Sequence, residues 1–511
     1  MSDVIRRNTI NDAVRRSAAK FRDQTALIHG ERRWSFAQIN RAADAIGRRL
    51  LDLGFVKGDR LAVYARNSDA YLLAWLGALR AGLVHVPINY ALTEPELHYI
   101  VDQSGARGLI HDPDLAQTAL AVAGRVDLLL STPMTGGADV DPLAIALAAD
   151  DAAPLDAGVA DEDLAQILYT SGTTAAPKGA MMTHRALLAE YASCIVELNL
   201  KGSDRALAAL PLYHSAQMHC FTMPQILVGA TSILIQTPVP ALCLELIERE
   251  AITSFFAPPT VWISLLRHED FDRRNLATLM NVYYGASIMP VPVLEELRRR
   301  LPGARPYNCY GQSEIGPLAT VLGPDEHTDR PASAGRPVMN VETRIVDAQM
   351  NDMAPGEQGE IVHRSPQLLI GYWNKPDETE EAFSGDWFHS GDVGYFDEGG
   401  FLFVVDRVKD VIKTGGVIVA SREVEDALFT HPAVSEVAVI ALPDPKWIEA
   451  VTAMVVLRPG HEVDAETLIA HARERLAAYK VPKTVHFIDA LPRNTAGKIL
   501  KRTLRQDFAE G

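Results

Sequence analysis

Ile167-Leu168-Tyr169-Thr170-Ser171-Gly172-Thr173-Thr174-Ala175-Ala176-Pro177-Lys178-Gly179 decides how the rest of the chain is read. The apolar Ile167-Leu168-Tyr169 reads as a strand that runs straight into a loop of hydroxyls, glycines, one proline and one lysine. Hydroxyls and freed backbone N–H groups donate to phosphate oxygens, glycine admits close approach, and lysine adds a compact positive charge. The spacing of glycine and lysine is not that of the Walker loop, and no Ser or Thr follows the lysine directly. An ordinary polar loop has a similar composition, so the stretch is weighed with what surrounds it.

The chain has 511 residues of ordinary globular composition, enough for two or more domains. A formal net charge of −16 argues against general attraction to nucleic acid or anionic membrane, which moves function into a pocket with local cations. Cys194, Cys220, Cys243 and Cys309 are far apart in sequence and form no Cys-x-x-Cys pair. A reduced cytoplasmic protein without a structural zinc site is expected, with each thiol a small core residue. The amino terminus shows no apolar signal core, and the greasiest region, 226–247, is broken by Gly229, Gln236, Pro238 and Pro240.

The first third alternates strand and helix signals. Thr25 to His29 and Arg33 to Phe36 flank Gly30-Glu31 as a hairpin, and Ser35 with Gln38 caps a helix that Gly54 stops. Strands at 61–64, 83–86 and 108–110 alternate with helices starting near Asp69 and after Thr93, which predicts a largely parallel sheet in an α/β layer. A linker of Ala, Asp and Pro, about 142–162, leads to the phosphate-type loop. Beyond it, Leu207 to His214 reads as a buried strand running into a loop. Two further strand ends, Tyr284-Gly285-Ala286-Ser287 and Tyr310-Gly311-Gln312-Ser313-Glu314, supply pocket walls of the kind found at the carboxyl ends of parallel strands.

From about Val338 the texture becomes short strands and tight turns. The strand after Ser390-Gly391-Asp392 and the strand before Asp406-Arg407 form a predicted hairpin that brings Asp392 and Arg407 to one end. Such a pair can share a diol like ribose, or be a plain ion pair of little energetic weight. The tail from Asp410 onward reads as a small α+β unit ending in the basic loop Pro492-Arg493-Asn494-Thr495-Ala496-Gly497-Lys498, whose lysine by itself has the composition of a surface charge.

Together these ordered motifs resemble the adenylate-forming superfamily of acyl-CoA synthetases, firefly-type luciferases and peptide-synthetase adenylation domains, most closely its acyl-CoA synthetases. The resemblance spans nearly the whole chain. It rests on Thr170 to Gly179, Tyr310 to Glu314, Trp387 to Asp392, Asp406 to Asp410 with Gly415-Gly416, and Pro492 to Lys498. It implies a large α/β amino-terminal domain with a small β-rich subdomain, residues 1–408, and a mobile α+β lid, residues 409–511, turning about Lys409. The implied reaction joins a carboxylate to the α-phosphate of ATP with Mg2+ and then passes the acyl group to coenzyme A. An acyl carrier protein is the alternative acceptor, and an oligomer is compatible with either.

By match to the family's motifs, Thr173, Thr174 and Lys178 hold the pyrophosphate end with Thr170, Ser171 and Gly172. Gly285, Ala286 and Ser287 line the purine, Tyr310 stacks on adenine beside Gly311 and Ser313, and Glu314 binds the metal. Asp392 and Arg407 hold ribose, Lys498 bridges carboxylate and phosphate, and Lys413, Gly415 and Gly416 shape the thiol tunnel. The acyl pocket is expected among Tyr213, His214, Met218, His219, Pro259, Trp262, Tyr284 and Gln312, with His219 alternatively a packed core residue. No aspartate stands where amino-acid-activating relatives pair the substrate amine, which favours a small-molecule acid of fatty, aryl or terpenoid type. The chain departs from the family at Ala175, in place of the usual glycine, at His214-Ser215-Ala216-Gln217, and at Val417 to Ala420.

Overall fold

A computed structural model describes residues 5–131, 141–170, 176–287, 289–407, 410–414, 417–445, 447–493 and 499–508. Ser171, Gly172, Thr173, Thr174, Lys409, Gly415, Gly416 and Lys498 lie outside the described residues. The described residues form four sheets.

The predicted parallel layer is present. Strands Arg60–Tyr64, Val84–Ile88, Gly108–His111, Leu128–Ser131 and Leu164–Thr170 pair in parallel, and Lys178–Thr183 closes the edge antiparallel to Leu164–Thr170. Their helices carry the expected start signals. Ser35 and Gln38 form the capping box of Phe36–Asp52, and Thr93 with Glu96 does the same for Glu94–Ser104. Helix Asp69–Arg80 is buried along its whole length, so it shows no polar stripe and packs between layers.

A second sheet has nine strands, with a parallel centre running through Thr25–His29, Thr231–Leu234, Arg205–Ala208, Ser254–Ala257, Asn281–Gly285 and Arg305–Tyr310. The strand expected to reach His214 ends at Ala208 instead. Asn67 takes over the backbone there: its Nδ2 donates to Leu210 O at 2.7 Å and its Oδ1 accepts from Leu212 N at 2.7 Å. Pro211 between them has no N–H to give a ladder. The chain then makes a turn of π-helix, Ala216–Thr222, before Met223–Val228. The expected linker also begins with a helix, Pro142–Leu147, capped by Asp141.

The third sheet is antiparallel, and its hairpin of Trp387–Phe396 and Leu402–Arg407 pairs Asp392 with Arg407 as predicted. The fourth belongs to the carboxyl-terminal unit, where Val434–Asp444 and Ile448–Leu457 form the central ladder. Helix Ala465–Arg473 is shorter than the expected 465–479, its last turn ending at Glu474. The carboxyl-terminal core joins that of the nine-stranded sheet, and Arg267 Nη1 donates to Ser435 Oγ at 2.8 Å across the join. No helix among the described residues is long and apolar enough to cross a membrane.

Candidate active site

Four strand ends meet: Thr170, Gly285, Tyr310 and Arg407 each close the strand that carries them. Around them two polar clusters form.

The first stands at the facing ends of strands Leu164–Thr170 and Lys178–Thr183. The hairpin register puts Thr170 opposite Lys178. Thr170 Oγ1 donates to Glu314 Oε1 at 2.9 Å, and Tyr372 OH donates to the same oxygen at 3.3 Å. Lys178 Nζ lies 5.1 Å from the centre of the Tyr372 ring, within cation–π range. Tyr372 comes from a segment that extends the sheet edge: Trp373 N donates to Gly179 O at 2.8 Å and Met181 N to Gly371 O at 3.0 Å. Burial, and then the charge of Glu314, holds the Tyr372 hydroxyl above its ordinary pKa, so it remains a donor. Sequence reading missed Tyr372. The only trace of it is Gly371-Tyr372-Trp373 after an apolar run, which no spacing rule singles out.

The second cluster sits on the hairpin. Tyr310 OH donates to Asp392 Oδ2 at 2.8 Å, and Arg407 Nε lies 3.1 Å from Asp392 Oδ1. Gln312 Nε2 donates to Ser390 O at 3.3 Å, tying the two motifs together. Asp392 is only 6% exposed, so this is no solvated surface pair. Burial and the Asp392 carboxylate both push the Tyr310 hydroxyl well above its ordinary pKa.

Gly285 is required by close approach: a Cβ there would stand 2.3 Å from Cys309 O on the neighbouring strand. Ala286 follows with φ +63°, a left-handed turn that points the chain away from the sheet. Ser313 Oγ bonds Ser215 Oγ at 2.8 Å, linking the Glu314 motif to the segment after His214. Gly311 is equally confined, with a built Cβ 2.0 Å from Pro317 O. Lys413 lies exposed on strand Ile412–Thr414 of the carboxyl-terminal unit, its N–H donating to Glu449.

The expected acyl-pocket residues stand in different settings: Tyr213 and Met218 belong to one hydrophobic core cluster, Trp262 and Tyr284 to another. Tyr213 is buried edge-on against Tyr90, and half-buried His214 accepts at Nδ1 from Ala216 N. Met218, Pro259, Trp262 and Tyr284 are buried. Trp262 donates to Tyr283 O at 3.1 Å, and Tyr284 OH bonds His327 Nε2 at 2.9 Å. His219 takes the second of its two expected places, a packed core residue. It is fully buried, its Nδ1 bonded to Tyr191 OH at 2.8 Å and its Nε2 to Gln166 Oε1 at 2.8 Å, with burial pushing its pKa down to about 3. It is a neutral core histidine with no ring nitrogen left for an acid.

All four cysteines are free thiols buried in the core, as expected. Cys194 and Cys220, distant in sequence, stand with their sulfurs 3.7 Å apart beside Glu190. Among the described residues, Glu190, Cys194 and Cys220 are the one group whose potential ligand atoms converge, within 4.8 Å.

The description "AMP-binding enzyme" matches residues 14–373, and "AMP-binding enzyme C-terminal domain" matches residues 423–498. The chain is 37% identical over 485 residues to a feruloyl-CoA synthase of Amycolatopsis sp, covering 95% of this chain and 96% of that one. It is 32% identical over 536 residues to a long-chain-fatty-acid–CoA ligase of Bacillus subtilis (strain 168), covering 98% and 95%. A solved anthranilate CoA ligase in complex with anthranoyl-AMP superposes with a TM-score of 0.90 at 26% identity, over 98% and 97% of the two chains. With the amino-terminal motifs and the carboxyl-terminal domain both matched in order, the chain belongs to the adenylate-forming, AMP-binding enzyme family and is most similar to its acyl-CoA synthetases.

Proposed function

We propose that this enzyme activates a compact, ring-bearing carboxylic acid with ATP and transfers the acyl group to coenzyme A, releasing pyrophosphate and AMP. The single observation that carries the nucleotide half is the triad of Tyr310, buried Asp392 and Arg407 one short loop away from Thr170, Glu314, Tyr372 and Lys178. One cluster offers ribose an acceptor flanked by a guanidinium; the other offers phosphates a cation and hydroxyls.

Glu314 fits magnesium, which takes hard oxygen ligands and is commonly held by one or two carboxylates together with substrate phosphates. Bound there, the ion would neutralise phosphate charge. Thr170 and Tyr372 fix one oxygen of Glu314 and so orient the carboxylate. Lys178 supplies a charge on the pyrophosphate side, Thr173 and Thr174 add hydroxyls from the loop, and Lys498 draws substrate carboxylate and α-phosphate together. At about 4 Å in a surface-like medium one such cation offsets roughly 4 kcal/mol of anion repulsion. The carboxylate then attacks the α-phosphate and pyrophosphate leaves. Residues 409–511 act as the lid, turning at Lys409, so that Lys413, Gly415 and Gly416 replace Lys498 beside the acyl group before the thiol attacks.

Two features support a compact acid. Met218, Trp262 and Tyr284, the bulky side chains assigned to the acyl region, are all buried, and the feruloyl- and anthranilate-activating relatives act on ring-bearing acids. The CoA-forming relatives lend the carrier-protein alternative no support. The test is ATP–pyrophosphate exchange over a panel of arylpropenoic, aryl and long-chain acids, followed by CoA addition. Exchange strongest with an aryl acid, with acyl-CoA formed on adding CoA, is the expected result. Exchange only with long-chain acids would sink the compact-pocket reading, and no exchange with any acid would sink adenylation.

A further inference from the structure

Helix His184–Glu197 carries a carboxyl group into the core, one turn before Cys194. Both oxygens of Glu190 face N–H groups. Leu318 N donates to Oε1 at 3.0 Å, and Gln367 Nε2 donates to Oε2 at 2.5 Å. Gln367 Nε2 also reaches Ile315 O at 2.9 Å and Leu318 O at 2.7 Å, while Ser193 Oγ, from the same helix as Glu190, holds Gln367 Oε1 at 2.9 Å. Between them, Glu190 and Gln367 grip the turn 315–318, which directly follows Glu314. The fit is tight: a Cβ built on Gly316 would lie 2.9 Å from Glu190 Oε2. Gln367 belongs to the same segment as Leu369, whose N–H donates to Glu314 O at 2.8 Å.

A buried carboxyl without a cationic partner is costly, and an apolar side chain of similar volume would often be more stabilising. The titratable groups around Glu190 are Tyr191 and Cys194 on its own helix, Cys220 on the π-helical turn and Cys309 on strand Arg305–Tyr310. None is cationic, and burial lifts Glu190 to about 8. Cys194 Sγ donates to Oε1 at 3.2 Å, and the two oxygens also accept from Leu318 and Gln367. An amide cannot match this, because its NH2 would face one N–H or the other.

We propose that Glu190, acting through Gln367, is a positioning residue for adenylation: it fixes the turn 315–318 and with it the direction in which Glu314 presents its carboxylate to the metal-linked phosphates. The inference rests on the magnesium role assigned to Glu314 above. Cys194 and Cys220 pack beside the acid and keep water from it.

The test uses the full-length enzyme, with ATP–pyrophosphate exchange measured against Mg2+ concentration at fixed ATP and the best acid of the panel. Glu190→Gln is expected to raise the Mg2+ concentration for half-maximal exchange about tenfold, the scale of one lost hydrogen bond to a buried group, and to lower kcat, with the acid KM nearly unchanged. Ser193→Ala, which removes only the hydroxyl on Gln367, should shift the Mg2+ requirement the same way by a smaller factor, and it serves if Glu190→Gln fails to fold. Variants that lose thermal stability while keeping the wild-type Mg2+ requirement and kcat below their midpoints would overturn the proposal. So would stoichiometric zinc in the purified wild type that is lost in Glu190→Gln, which would make the cluster a metal site. Glu314→Gln is run alongside: an unchanged Mg2+ requirement there sinks the reading of Glu314 itself, whereas a changed one with unaffected Glu190 variants sinks only the inference.

Discussion

Replacing Tyr310 by phenylalanine separates its two assigned tasks, because the ring stays to cover adenine while the hydroxyl that holds Asp392 is removed. In the native site Asp392 is held from both sides, by Tyr310 OH at 2.8 Å and by Arg407 Nε at 3.1 Å. A hydrogen bond to a charged group contributes about 1.5–3 kcal/mol, and here it is shielded from solvent. If Asp392 directs its carboxylate at ribose, that loss converts to about a 10- to 150-fold rise in the ATP KM for exchange, at ~1.4 kcal/mol per factor of ten. The acid KM should barely move. The decisive assay repeats the comparison with an ATP analogue lacking the ribose hydroxyls. There the penalty of Tyr310→Phe should largely vanish, because the contact that Asp392 makes is already gone. An equal penalty with both nucleotides, or no change in the ATP KM, would refute the ribose assignment and leave Asp392 and Arg407 as a structural pair.

Other consequences are equally direct. Gly285→Ala forces a Cβ to within 2.3 Å of Cys309 O, so urea denaturation should show a loss of about 1–3 kcal/mol and exchange should fall with it; an unperturbed variant would mean the strand ends are looser than described. Glu190 in the folded protein keeps its proton up to about pH 8, whereas the unfolded chain releases it near pH 4.3, so folding stability from this group is greatest below pH 4.3 and falls by about 1.4 kcal/mol per pH unit as pH rises to about 8. The stability of wild type relative to Glu190→Gln should therefore decline between pH 5 and 8, and parallel stability curves would contradict the buried acid. Lys498→Ala should abolish adenylation while thioester formation from supplied acyl-adenylate persists; equal loss of both steps would remove the lysine from its role. His219, neutral down to about pH 3, should contribute no limb to the pH–rate profile between pH 5 and 8.

The sequence by itself determined what short-range chemistry can write. Capping boxes at Ser35 and Thr93, the hairpin that pairs Asp392 with Arg407, and the strand-to-loop transitions at Thr170, Gly285 and Tyr310 all depend on residues a few positions apart. For the same reason the ordered motifs were enough to mark the family. What they did not reveal is which side chains distant segments bring together. Tyr372 reaches Glu314 across 58 positions, and Gln367 meets Glu190 across 177, because the 365–373 segment is laid along the edge of one sheet and under the turn of another. The sequence leaves His219 open between pocket and core, because its neighbours His214 and Met218 are expected in the pocket. Only the π-helical turn, which rotates it towards Tyr191 and Gln166, makes it core. Cys194 and Cys220 met for a similar reason, helix packing and not sequence spacing. Periodicity and motif order act along the chain and are legible there. Burial and hydrogen-bond closure act across it, and only the packed tertiary structure fixes them.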